Sequence, residues 1–186
     1  MTTSPGKEAL LRATIAVVAR GGLRDLTYRA VAAEANVSHG LVRHHFGTRD
    51  SLLAEALEFA VTESLRQTSM TGTLTDASEF GRGIEALAER DDSLQAFQYE
   101  LLLASRHRPE LKALVQQYYD AYRNATAAHL QRLGVTDRAL VDVIWFSLDG
   151  LVFKELVHGD RADSERVMAR IRQLIVESSK KENPSD

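Results

Sequence analysis

Apolar residues recur at intervals of three and four along almost the whole of this 186-residue chain, and nowhere do they alternate. That period belongs to an α-helix with one buried face, whereas a half-buried strand needs a period of two. Leu10, Ala13, Ala16 and Val17 mark a first helix over 7–20, stopped by Gly21-Gly22. Two short helices follow, over 28–35 behind Thr27 as cap and over 39–45 behind Ser38. Thr48 caps a longer one running to about 69, with Leu52, Leu53, Ala56, Leu57, Ala60 and Val61 inward and Asp50 at its positive end. After a Thr/Gly/Ser stretch around 68–76, helices are expected near 77–90, 92–105, 109–133, from a Thr136 cap to about 157, and over 163–179. The sequence therefore predicts an all-α fold of about nine helices, ending in a polar tail over 180–186.

This length supports a core without staples, either as one unit or as a small module fused to a larger one. The absence of Cys removes disulfides and thiolate chemistry and is compatible with a reducing cytosol. No apolar leader follows Met1, and no uncharged apolar run approaches the ~20 residues of a membrane span. A soluble, cytoplasmic protein without a membrane partner is expected. The net charge of −3 conceals an asymmetry. Residues 1–50 hold seven Lys/Arg against four acids, which is +3; the remaining 16 basic and 22 acidic groups give −6 over 51–186. Such a split suggests a nucleic-acid-facing segment joined to something else.

The segment 27–46, TYRAVAAEANVSHGLVRHHF, is the most informative. Two helices this short are unstable alone in water, so packing must hold them. Val31 and Ala35 face the same way as Val37 and Val42, and Ala32 permits a close crossing. Asn36 stands at the sharp turn, where a left-handed backbone is tolerated by Asn better than by most residues. Two short helices around a tight turn describe a helix-turn-helix. The second helix then exposes Ser38, His39, Gly40, Arg43, His44 and His45, hydrogen-bonding groups of a width that fits the DNA major groove. Arg29 and Arg49 add positive charge on the flanks, where phosphates would run.

The run from Leu26 to Gly40, continued by His45-Phe46-Gly47-Thr48-Arg49-Asp50-Ser51-Leu52-Leu53, resembles the DNA-binding module of the TetR family of bacterial transcriptional regulators. The likeness covers roughly residues 7–55. It implies that Arg29 and His39 reach base edges, that Gly40 lets the backbone close on DNA, and that His44 meets a base or a thymine methyl. Thr27, His45 and Arg49 would hold phosphates. Arg43 stands where the family usually has Tyr, Asn36 where it has Gly, and Arg49 where it has Lys. Arg43 can bind a phosphate or reach a guanine bidentately. The expected domains are a three-helix DNA-binding domain over 1–50 and a larger effector-binding and dimerisation domain over 51–186.

Within the larger part, the segment 139–157 is apolar at more than half its positions, too wide for one buried stripe. Asp142, Asp149, Lys154 and Glu155 argue against a bilayer span. Such a helix needs partners on most sides, from its own chain or another. The resemblance implies a homodimer through helices 139–157 and 163–179, eased by Gly150, with two recognition helices on a roughly palindromic double-stranded DNA operator. It also implies an effector pocket for an unidentified small molecule. The candidates are Phe97, Tyr118, Tyr122, Trp145 and Phe146, from an aromatic group that includes Tyr99 and Tyr119, with Glu100, His129 and Asp149 as polar partners.

No dinucleotide fingerprint, phosphate-binding Lys loop or nucleophile elbow is present, so no cofactor is expected. Glu155-x-x-His158 has the spacing of a di-iron helix, but it lacks the second copy such a site needs. The sequence thus points to a ligand-responsive DNA-binding repressor, not an enzyme. A helical-bundle enzyme would leave the basic helix pair unexplained, and an architectural DNA binder would leave residues 51–186 without a role.

Overall fold

Three hydroxyls fix where the N-terminal helices begin. Thr27 Oγ1 accepts the Ala30 N–H at 3.0 Å, Ser38 Oγ that of Leu41 at 3.4 Å, and Thr48 Oγ1 that of Ser51 at 3.1 Å. Each satisfies a donor that the helix itself leaves open. The computed structural model describes residues 4–68, 76–84, 92–158 and 161–182. Among them lie eight α-helices and no strand: α1 (Pro5–Gly21), α2 (Tyr28–Glu34), α3 (His39–Phe46), α4 (Arg49–Gln67), α5 (Ser93–Ala104), α6 (Lys112–Arg132), α7 (Arg138–His158) and α8 (Arg161–Glu182).

Two helix ends leave through a left-handed residue, which the sequence suggested at Asn36. Asn36 has φ 55°, and the Val37 N–H returns to the Ala32 carbonyl at 2.9 Å. Gly134 has φ 83°, with the Val135 N–H on the Leu130 carbonyl at 3.0 Å. Val135 is buried after its turn, whereas Val37 is 38% exposed, so the inward position expected for Val37 is corrected.

Three other expectations change. Asp137, not Thr136, caps α7: its Oδ1 accepts the N–H groups of Ala139 and Leu140 at 2.8 and 3.4 Å. A carboxylate is the stronger acceptor at a positive helix end. The helix expected over 77–90 is absent from its described part. Residues 77–79 form a single 3₁₀ turn, and Gly81 and Gly83 at φ 64° and 99° divert the chain. Gly81 lies against Met168 of α8, and its φ of 64° favours a glycine at this turn. Residues 1–3, 69–75, 85–91, 159–160 and 183–186 lie outside the described residues. Finally, α8 extends at both ends beyond 163–179.

The chain divides into two units, one of residues 1–62 and 93–118, the other of residues 63–92 and 119–186. The unit holding the helix-turn-helix is thus larger than residues 1–50. It takes in α4 through Thr62 and all of α5, which packs on α1. Leu10, Ile15, Val31, Val42, Leu52 and Phe97 form its core. Burying a side chain of that size contributes about 1.5–3 kcal/mol, and Val31 and Val42 supply what two such short helices lack alone. In the second unit Phe80, Leu130, Ile144, Met168 and Ile175 are fully buried, and Arg172 Nε donates to the Phe80 carbonyl at 3.0 Å.

Candidate nucleic-acid interface and effector region

The back of α3 is pinned by Val42 and Phe46, both buried, and α2 lies against it through Val31 and Ala32. The Tyr28 hydroxyl donates to the Gly47 carbonyl at 2.9 Å, tying the start of α2 to the end of α3. Sequence reasoning missed this role; its signal was an aromatic hydroxyl opening a helix otherwise built of Ala and Val. Arg20 pairs with Glu34 through two hydrogen bonds, joining α1 to α2 and holding the Glu34 carboxyl below its usual range. The acid on α2 is thereby neutralised locally.

Thr27, Arg29, Ser38, His39, Gly40, Arg43, His44 and His45 are all exposed on this one pair of helices. Among the described residues neither Arg29 nor Arg43 sits in an ion pair, and α3 carries no carboxylate. A Cβ at Gly40 would meet nothing closer than Ser38 Oγ at 3.9 Å. The chain's own packing therefore does not require glycine there. Arg49 is exposed at the start of α4 and has a structural role besides the phosphate contact that the resemblance implied. Its Nε donates to the Leu26 carbonyl at 3.2 Å and a terminal nitrogen donates to the Leu23 carbonyl, so the guanidinium clamps the start of α4 to the loop before α2.

The effector candidates are divided between the two units. Phe97 has no exposure and Tyr118 is buried, both within the first unit. Glu100 also belongs there, its Oε1 accepting the Leu23 N–H at 3.2 Å. In the second unit Tyr122, Trp145 and Asp149 do come together. The Tyr122 ring stacks on Trp145 with centroids 6.2 Å apart, and Tyr119 meets Trp145 edge-on at 5.8 Å. The Tyr119 hydroxyl donates to Asp149 Oδ2 at 3.3 Å, and burial together with that carboxylate pushes its pKa up to about 12. Tyr119 belongs with these candidates; its spacing of three from Tyr122 was the available signal. His129 is buried edge-on against Phe80 at 5.2 Å.

Phe146 is corrected. It is 65% exposed, because one residue beyond Trp145 turns a helical side chain about 100° away. It belongs instead to an outward stripe on α7: Val143, Phe146, Gly150, Phe153 and Val157, spaced three and four apart. Val167 and Val176 of α8 are exposed as well. A row this apolar on a helix face marks a contact surface. Among the described residues no His/Cys/Asp/Glu group has the makings of a metal site, and Glu155 is buried, accepting a hydrogen bond from Ser164. No described helix is long and apolar enough to cross a membrane.

A short capped helix held from behind, basic and polar in front, has the geometry of the recognition helix of a helix-turn-helix. Residues 10–56 match the family described as "Bacterial regulatory proteins, tetR family", and residues 75–177 match "Tetracyclin repressor-like, C-terminal domain". The chain belongs to the TetR family. It is 28% identical to the HTH-type transcriptional regulator BetI of Vibrio parahaemolyticus, over 84% of this chain and 85% of that protein. Its fold is similar to that of a TetR-family member from Streptomyces coelicolor, with TM-score 0.71 and 27% identity over 90% of this chain and 98% of the other. It also resembles the multidrug binding protein EbrR in complex with ethidium, with TM-score 0.60 and 27% identity over 89% and 98% of the two chains.

Proposed function

We propose that this protein is a homodimeric repressor that reads a roughly palindromic operator through α3 and leaves it when a small molecule binds. The observation that carries the reading is the exposed face of α3. Arg43 and three histidines stand forward of a buried Val42–Phe46 back, on a helix with no carboxylate. Arg29 and Arg43 supply phosphate or guanine contacts, and Thr27, Ser38 and His45 are placed for the backbone. The α7 stripe, with the outward residues of α8, closes the dimer, and the two recognition helices then sit about 34–36 Å apart, one DNA turn. The effector region is the cluster of Tyr119, Tyr122, Trp145 and Asp149. The stacked Tyr122–Trp145 pair suits a flat aromatic ligand, the class to which the ethidium bound by EbrR belongs. Release requires the ligand to bind the DNA-competent and DNA-incompetent states unequally, and a hundredfold loss of operator affinity corresponds to about 2.7 kcal/mol of that difference.

A gel-shift titration against the DNA upstream of its own gene, run at several salt concentrations, tests the reading. The Arg29→Ala/Arg43→Ala double variant is expected to bind more weakly, with a log–log salt slope shallower by about 1 to 2. Salt-insensitive binding, or a double variant equal to wild type, would overturn it. Ethidium and proflavin serve as first probes of release.

A further inference from the structure

The peptide groups of Leu23 are held from two different helices. Its N–H goes to Glu100 Oε1 of α5 at 3.2 Å, and its carbonyl receives the Arg49 guanidinium from the first turn of α4. The same guanidinium reaches the Leu26 carbonyl. Residues 27–48, which carry α2 and α3, therefore begin just after one of these anchors and end just before the other. The loop is shaped for this grip. Gly22 has φ 71° and ψ 179°, a conformation open essentially to glycine alone, and a Cβ there would stand 2.9 Å from Glu100 Oε1. Gly21 is crowded by the Asp25 carboxylate in the same way. Gly22 is thus more than a helix stop: it lets a carboxylate from residue 100 reach the backbone at residue 23. Leu23 and Leu26 are both buried, so the loop has little freedom once that bond is made.

We propose that Glu100 is a positioning residue for DNA binding: by holding the Leu23 amide it fixes the pose of the helix pair, so that the placement of α5 sets operator affinity. Glu100 comes from the stretch matched by the C-terminal family domain yet packs within the DNA-reading unit. A shift of α5 that lengthens this one bond frees the loop before α2 without touching α3. The proposal rests on the reading of α3 as the DNA-contacting helix.

The test measures operator affinity, its salt slope, and hydrogen exchange at the Leu23 amide in the full-length protein. Glu100→Ala is expected to bind about tenfold more weakly with an unchanged salt slope, since no phosphate contact is lost, and to exchange the Leu23 amide faster. Glu100→Gln keeps an acceptor oxygen and should restore both readouts to near wild type. Gly22→Ala, which drives the carboxylate away, should behave like Glu100→Ala. An alanine variant within twofold of wild-type affinity would overturn the proposal, as would a glutamine variant no better than the alanine one. Arg43→Ala separates the two readings: it should lower affinity and slope while leaving Leu23 exchange alone. Should Arg43→Ala bind DNA like wild type, the reading of α3 falls; the Glu100 grip falls separately, if Glu100→Ala leaves Leu23 exchange as it was.

Discussion

The exposed faces of α3 and α7 share one oddity and differ in everything else. Each carries a glycine inside a helix, Gly40 and Gly150, where glycine costs up to about 1 kcal/mol relative to alanine. At neither position would an added Cβ come closer than 3.9 Å to the chain's own atoms outside the helix backbone. Around Gly40 stand Arg43 and histidines; around Gly150 stand Val143, Phe146, Phe153 and Val157. On the proposed function, the same local weakness serves two kinds of close approach. A polar, cationic surround suits a phosphate backbone and base edges, and an apolar surround suits a second copy of the same helix.

The contrast can be broken first at Phe146. Phe146→Glu puts a charge at the centre of the apolar stripe, and burying it unpaired would cost at least about 3 kcal/mol. Sedimentation at micromolar concentration should find a monomer, with operator affinity down a hundredfold or more; a persistent dimer would mean the stripe is not the interface. Gly40→Ala is the sharper test of the other face. Thermal stability should hold or rise, while operator affinity falls about tenfold as the added methyl holds the backbone off the DNA. Equal affinity would show that α3 does not approach DNA at Gly40. Gly150→Ala should raise the stability of each subunit by up to about 1 kcal/mol yet weaken the dimer a few-fold, seen as a shift in the concentration of half-dissociation. The last effect, confined to alkaline pH, concerns neither face. Tyr119 loses its proton near pH 12 when folded, against about 10 when unfolded, so stability should be level below pH 10 and decline from 10 to 12. Alkaline unfolding of Tyr119→Phe should show a shallower decline over that window.

Much of the DNA-reading pair was legible because its determinants are local. Thr27, Ser38 and Thr48 are caps by chemistry and position, and Asn36 takes the left-handed turn that its short polar side chain tolerates. The effector candidates were less legible because periodicity says that a residue is inward without saying against what. Phe97 and Phe146 share an aromatic series, yet the first has no exposure and the second is 65% exposed. Glu100 reads as a polar group in an apolar helix, and nothing near it in sequence reveals a partner 77 residues away.

The sequence by itself determined the all-helical class, the capped pair of short helices and the excess of positive charge over residues 1–50, since each follows from spacing or residue type within a few turns. Only the tertiary structure decided that α5 packs within the DNA-reading unit, that Arg49 and Glu100 grip the two sides of Leu23, and that Phe146 faces outward. These depend on contacts between residues far apart in the chain. A helix has several sides that periodicity alone leaves equivalent, and only packing chooses which of them meets which neighbour.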